Sequence, residues 1–457
     1  MKTKHWAILL ATMLAAVAVL LTPTFPQNGI ASGEMNPIPL KYEVGAVFVG
    51  ELKHVIQITN PWPNAVAGKL VVPLVKNQTA RHYTILHDFS AVGGWFSGPS
   101  LLNDGFENVY LCWENVQIHP KGSFIVEIDY FVLSFDVEYT VNLSLVGGYD
   151  ADSEVYKLYT QPERFIQSDN PEIVRTAQAV VGNEENPHVK ALLIYNFVTK
   201  SLKYEAQNEE KGALWALENR KGDCSEYSYL FVALCRAAGI PARVQAGFAF
   251  RYVNEVMEDG HMWAEYYLEN YGWIPVDATW KMFGQTDYKH LSSIQSIPEV
   301  MPYANFYFES AGGSRRLEDK QTVQLKRVSA SKFSDGQFAE KIMMAVQKMK
   351  QAEFGTSAGK ILGAKLLFPS EIEDVEHRIL ECKVYIQNAV NIWSESPQTA
   401  TSNATEAIKI AEEASKKVWM LIAKVFTLYL TVALFLAIIA LALSRRSPES
   451  PVQAQAI

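Results

Sequence analysis

Lys221-Gly222-Asp223-Cys224-Ser225-Glu226-Tyr227 opens a stretch that runs through Leu230, Phe231 and Leu234 to Gly239 and Pro241. From Cys224 onward, Tyr227, Leu230, Phe231 and Leu234 recur at helical spacing. The pattern predicts a helix from about Cys224 to Ala238, entered at Gly222-Asp223, with Gly239 as its C-terminal stop and Pro241 just beyond. Such a helix carries Cys224 in its first turn. There the free N–H groups and the helix dipole favour an anion, the setting of a thiolate nucleophile. The same N–H groups can hold a developing oxyanion. Cys235 is expected to pack as a small apolar residue of the same helix.

A lone cysteine is more often buried and inert than reactive, so a base is required. His261 begins His261-Met262-Trp263-Ala264-Glu265-Tyr266-Tyr267-Leu268, right after Asp259-Gly260. A strand starting there sends His261, Trp263, Glu265 and Tyr267 to one face. Asp277 lies in a second candidate strand, Gly272-Trp273-Ile274-Pro275-Val276-Asp277-Ala278-Thr279, joined to the first by Glu269-Asn270-Tyr271-Gly272. Two adjacent strands bring a carboxylate to the far nitrogen of an imidazole. That fixes the tautomer and steadies the imidazolium, as a Cys–His–Asp set requires. The bland alternative is a surface histidine and a turn aspartate.

These blocks resemble the core of the transglutaminase-like superfamily. The resemblance rests on Gly222-Asp223-Cys224, then Leu234 to Arg243, Gly260 to Glu265, and Gly272 to Thr279, with 37 residues from Cys224 to His261 and 16 from His261 to Asp277. The upstream Ser201-Leu202-Lys203-Tyr204 is similar too. The resemblance implies a papain-like α+β fold with Cys224 as nucleophile, His261 as base and Asp277 as its orienting partner. Ser225 stands where animal transglutaminases carry Trp, so the likeness is closer to the microbial and archaeal branch. Tyr204 is the candidate for oxyanion assistance, against ordinary packing. Trp263 and Trp273 are expected in the core, or as aromatic walls of a cleft for an acyl substrate. Asp150-Ala151-Asp152-Ser153-Glu154 lacks the glycine and later Glu of an EF-hand, so calcium activation is not carried over. No cofactor and no metal site are expected, and no HExxH motif occurs among the 9 His.

Helical patterns over roughly 172–181 and 188–202 precede the cysteine helix, and alternating segments at 243–252 and 262–268 follow it. Residues 170–290 therefore read as one α+β catalytic domain. Upstream, 38–165 read as β: short apolar or aromatic runs at 42–49, 55–59, 70–75, 108–113 and 124–133 are divided by Asn60-Pro61-Trp62-Pro63-Asn64 and Gly93-Gly94. This predicts a β-sandwich. Downstream, 291–334 read as a connecting segment. Ile372, Val375, Ile379, Cys382, Ile386, Ala389 and Trp393 then step by three and four, as do Ala404, Ala407, Ala411, Ala414, Val418, Leu421 and Val425. The two seams around Pro397 predict an antiparallel helical hairpin within a stalk, 335–424. Pairing between chains through the same seams is the alternative.

Two apolar runs mark the ends. Trp6 to Leu21, preceded by Lys2 and Lys4, reads within 1–30 as a signal peptide or N-terminal anchor. Val425 to Leu443 has no charge and is followed by Arg445 and Arg446, so it reads as a transmembrane helix with 444–457 as a cytoplasmic tail. The catalytic domain then faces the outside of a cell membrane crossed once. Asn77, Asn142 and Asn403 are glycosylation candidates in N-x-[ST] sequons. The four cysteines lack metal spacing and allow one disulfide of unassigned pairing.

The 457 residues are 49% hydrophobic and 12% aromatic, which excludes a disordered chain. Lys and Arg number 41 against 49 Asp and Glu, a net charge of -8, which argues against nucleic acid as a partner. The expected function is thiol acyl transfer on protein or peptide amides, through a thioester resolved by water or an amine. The substrates expected are surface proteins or wall peptides. The alternative is a non-catalytic surface binding or scaffold protein.

Overall fold

A computed structural model describes residues 40–296, 306–311, 317–333 and 336–444. The signal-like run and Arg445-Arg446 lie outside the described residues.

The N-terminal region is β-rich. Strand β1 (Tyr42–Thr59) pairs antiparallel with β6 (Ser123–Tyr139) along its whole length. Between them in the chain come β2 (Val66–Pro73), β3 (His82–Val92), β4 (Ser100–Asn103) and β5 (Val109–Ile118). One sheet holds β1, β3 and β6, and another holds β2, β4 and β5. On β6, Phe124, Val126, Ile128, Tyr130 and Val132 are buried while the residues between them are partly exposed, the period-two pattern of a strand with one covered face. They share one apolar cluster with Leu52 and Ile56 of β1, Leu70 and Val72 of β2, and Trp113 and Val116 of β5.

The apolar runs 42–49 and 55–59 are parts of one continuous strand that includes residues 50–54. A Cβ on Gly50 would lie 2.6 Å from the Lys326 carbonyl oxygen, so glycine is there for a close approach of chains. That approaching chain is Glu318–Arg327, which pairs with β1 from Gly50 to Thr59, while Tyr307–Ser310 pairs with β2. Both come from the stretch read as a connection. Glu318–Arg327 is polar, and only Gln321, Val323 and Leu325 are buried in it. Gln321 hydrogen-bonds the buried His54 ring at 2.9 Å.

The α/β core follows. Helices α1 (Glu154–Tyr159), α2 (Pro171–Val181), α3 (Pro187–Ser201) and α4 (Ala213–Asn219) lead to α5 (Cys224–Ala237). Every residue from Ser225 to Arg236 on α5 is buried, as befits a helix with apolar residues all round. Its apolar side chains share one cluster with residues of an antiparallel sheet built from β7 (Ala242–Ala249), β8 (His261–Leu268), β9 (Gly272–Asp277) and β10 (His290–Gln295), with Met282–Phe283 at one edge. Phe248, Phe250 and Leu291 join the cluster of the N-terminal sheets instead.

The C-terminal helices are α6 (Gly336–Ile361), α7 (Ala364–Leu367), α8 (Pro369–Ile392) and α9 (Pro397–Ser444). Residues 347–384 and 406–457 belong to a compact unit of their own, of which those up to 444 are described. In it Arg378 pairs with Glu413, Asp374 with Lys417 and Glu371 with Lys424, so α8 and α9 run antiparallel. The seam residues Ile372, Val375, Cys382, Ala407, Ala411, Ala414 and Val418 are buried. Helix α6 lies alongside, with Lys348 paired to Glu412 and Gly355 facing Val418. From Phe426 to Leu443 most apolar side chains are exposed, and by length and composition this stretch is compatible with one membrane span.

Candidate active site

Asp223 is the N-cap of α5. Its carboxylate accepts the Ser225 N–H at 3.1 Å, and Glu226 accepts the Asp223 N–H at 3.1 Å, which closes a capping box. Ser225 also donates its hydroxyl to Asp223 at 2.8 Å, so the residue that replaces Trp serves the cap. Cys224 is the first helical residue and is half-buried. Gly222 is required by contact, because a Cβ there would lie 2.3 Å from the Glu226 Cβ. Gly222→Ala is expected to lower stability by about 1–3 kcal/mol, the usual cost of overpacking, and to displace the helix start. Thermal melting and the alkylation rate of Cys224 check both effects.

His261 opens β8, and Asp277 closes β9. Nε2 of His261 hydrogen-bonds Oδ2 of Asp277 at 2.6 Å. The other oxygen, Oδ1, accepts the N–H groups of Thr279 at 2.9 Å and Trp280 at 2.8 Å, which locks the carboxylate in place. His290, on β10, completes the cluster. Its Nε2 lies 3.3 Å from the same Oδ2 and its Nδ1 lies 2.8 Å from Oδ1 of Asp287. His290 was not foreseen, since nothing local in Asp287-Tyr288-Lys289-His290 points to it.

Burial works against a charged His261 ring. The Asp277 carboxylate and the interaction with Cys224 outweigh it and hold the ring up at about 9. His290 is likewise held at about 9, against its burial, by Asp277 and Asp287. Burial alone would raise Asp277, but the two imidazoles keep its carboxyl well below the usual range. The cluster thus balances two carboxylates with two imidazolium rings. The Cys224 side chain interacts with the His261 ring, which Asp277 holds from its other side.

Residues 174–278 match the family model of the transglutaminase-like superfamily. The chain carries a transglutaminase-like core. The family is one of thiol enzymes, cysteine proteases and acyltransferases. An uncharacterized protein of Haemophilus influenzae is 34% identical over 125 residues, 22% of this chain and 33% of that protein. A protein-glutamine gamma-glutamyltransferase of Pseudomonas aeruginosa is 38% identical over 72 residues, 14% of this chain and 11% of its own length. The chain therefore spans a third or less of these relatives. A solved structure of a proposed cysteine protease from Cytophaga hutchinsonii aligns with a TM-score of 0.44 and 17% identity, over 61% of this chain and 100% of that one.

The cleft of the transglutaminase-like core, about 560 Å³, is lined by Tyr204, Tyr227, Arg251, His261, Thr279 and Trp280, among others. Tyr204 is placed by a short parallel pairing of Lys203–Tyr204 with Lys221–Gly222. Partial burial, then the nearby Cys224 and Asp223, raise its phenol. The two tryptophans depart from the cleft-wall expectation. Trp263 is buried behind the histidines, its ring 6.1 Å from His261. Trp273 alternates to the other side and stacks on the Arg243 guanidinium at 3.9 Å. Trp280, just past Asp277, supplies an aromatic wall instead, 5.2 Å from the His261 ring.

His261, Asp277 and His290 present ligand-type atoms within 4.8 Å of one another. Oδ2 of Asp277 already stands at hydrogen-bond distance from both rings, so a cation there would have to break the His261–Asp277 bond. All four cysteines are free thiols. Asn77 accepts the Thr84 N–H and Asn142 caps a short turn, and both are exposed. Asn403 lies on α9 and is half-buried.

Proposed function

We propose that this chain is a membrane-anchored thiol enzyme acting on protein or peptide amide bonds outside the cell. The observation that carries the reading is the 2.6 Å bond between His261 and Asp277 beside the capped helix that begins with Cys224. Sγ of Cys224 attacks the substrate carbonyl carbon, and the C–N bond breaks as His261 gives its proton to the departing amine. A thioester remains on Cys224. Water then attacks the thioester, His261 takes its proton, and the thiolate leaves with the acid as product. An amine in place of water gives transamidation. Asp277 holds the ring in its tautomer and stays ionised throughout. The apolar stretch 425–443 is the membrane anchor. The N-terminal lysines keep the chain start inside, which places 30–415 outside and the C-terminus in the cytoplasm. Incubation with labelled peptides, read by mass spectrometry for cleavage against amine incorporation, tests the reaction and its acceptor. No turnover on any amide, with Cys224 unlabelled by acyl probes, would return the chain to the scaffold reading.

His290 belongs to the same reading as a positioning residue. His290→Gln keeps a donor toward Asp277 but removes the cation. Alkylation of Cys224 at pH 6 is expected to slow about tenfold, the kinetic equivalent of about 1.4 kcal/mol. Circular dichroism separates this from unfolding, and His290→Asn, too short to reach, should slow it at least as much.

A further inference from the structure

The helical unit carries an apolar feature away from its seams. Residues 361–368 read Ile-Leu-Gly-Ala-Lys-Leu-Leu-Phe and connect α6 to α8. Their apolar side chains fall into three sets, of which one, Leu362 and Leu367, is partly buried. Ala364 and Phe368 are buried with Ile372, Leu421 and Val425 in one cluster. Ile361 and Leu366 stand 87% and 86% exposed. The connection is therefore anchored, and its exposed aliphatic side chains are held out by a fixed backbone.

Its height relative to the apolar stretch of α9 is set by bonds. Lys424 pairs with Glu371 at 2.9 Å, just before the stretch begins at Val425. Tyr429 Oη donates to the Leu362 carbonyl at 2.7 Å, and a Cβ on Gly363 would lie 2.8 Å from that same hydroxyl. Tyr429 is four residues past Val425, roughly 6 Å along the helix axis. The connection thus reaches about as far below the last ion pair as an interfacial segment sinks into a bilayer, roughly 5–10 Å. On α9 at this level, Phe426 and Leu430 also point outward and Tyr429 is partly exposed. Tyr is a residue favoured at membrane interfaces, and the exposed Lys365 is suited to reach lipid phosphates.

We propose that 361–368 is an interfacial membrane element, with Ile361 and Leu366 seated among the upper acyl chains and Lys365 at the phosphate layer. The proposal rests on the reading that 425–443 crosses a bilayer. Its partner is the lipid surface, because the exposed pair continues the uncovered apolar surface of α9. Both aliphatic residues stand almost fully exposed on this anchored connection.

The test uses the full chain with Cys224→Ala, reconstituted in phosphatidylcholine vesicles. Cys112, Cys235 and Cys382 are buried, so an environment-sensitive fluorophore goes to a single introduced cysteine: Leu366→Cys, Leu436→Cys within the stretch, or Lys416→Cys above it. At position 366, blue-shifted emission, quenching by shallow doxyl lipid and loss of iodide quenching are expected. Position 416 should show the reverse. If 366 is as open to iodide as 416 while 436 stays protected, the interfacial proposal fails and the span stands. If 436 is also open to iodide, both fail. Protection at 366 that is lost on diluting protein in lipid, without doxyl quenching, assigns the patch to a second copy and overturns the proposal.

Discussion

Iodoacetamide is expected to alkylate Cys224 at pH 6 about a hundredfold faster in the native chain than in His261→Ala. An ordinary thiol, with a pKa of about 8.5, is under roughly 1% thiolate at pH 6. His261 is held at about 9, so its ring stays charged through neutral pH and can pair with the sulfur. Removing the ring removes the partner charge, and the rate should fall toward that of a free thiol. The difference closes as pH rises. Above about 9 His261 loses its proton and the pair disappears, so the two rates should converge. The same titration governs stability. The folded value of His261 lies above its unfolded value of about 6.5, so its pairing with Asp277 stabilises fully below pH 6.5 and is lost as pH rises through about 9. Peptide mass spectrometry after timed alkylation, from pH 5 to 10, gives both curves. Equal rates at pH 6 would sink the thiolate–imidazolium pair. In turnover assays Cys224→Ala should lose essentially all activity, on the order of 10⁴-fold or more.

The parts of this site that were legible in the sequence are those with local pattern. Cys224 was legible because a dense helical period, the Gly222-Asp223 entry and the Gly239 and Pro241 stop all agree over some twenty residues. His261 and Asp277 were legible because consecutive strands are usually neighbours. His290 was not, since its partners Asp277 and Asp287 meet it only through the register of β10 against β7 and a turn tied to Asp136. Glu318–Arg327 escaped for the opposite reason. Glu318–Arg327 lies between β1 and the two-residue pairing of Val256–Met257, and two buried apolar residues within Glu-Asp-Lys-Gln-Thr-Val-Gln-Leu-Lys-Arg give too little alternation to read. The helical seams were visible as repeats of three and four, but the sequence left α6 outside them, because its contact with α9 runs over small residues such as Gly355 and Gly359.

Glu265 shares a strand face with His261, yet its expected role is stability, and its removal should produce the largest loss of fold. Its side chain is wholly buried. It accepts from Arg243 at 2.7 Å, Gln78 at 2.9 Å and Gln245 at 2.7 Å, and it pairs with Arg81. Arg81 and Gln78 come from the N-terminal β-rich region, so one carboxylate fastens that region to the transglutaminase-like core. The Arg243 side chain is only 9% exposed, and this burial pulls its guanidinium down to about 10. Glu265→Ala leaves two buried guanidinium groups with no anion between them. Breaking a buried ion pair by deleting one partner costs about 3–5 kcal/mol, a large share of the roughly 5–15 kcal/mol that stabilises a native domain. Thermal melting should fall by roughly 10 °C or more, with aggregation on heating. Glu265→Gln preserves shape and some hydrogen bonds but not charge, and should also lose stability. If Glu265→Gln melts with the native chain, the charge is dispensable and the network is held by hydrogen bonds alone. Replacing all three ionic partners together, Arg81→Met, Arg243→Leu and Glu265→Leu, separates the cost of stranded charge from the cost of lost shape. It should recover much of the loss, because an apolar cluster of similar volume pays no desolvation penalty.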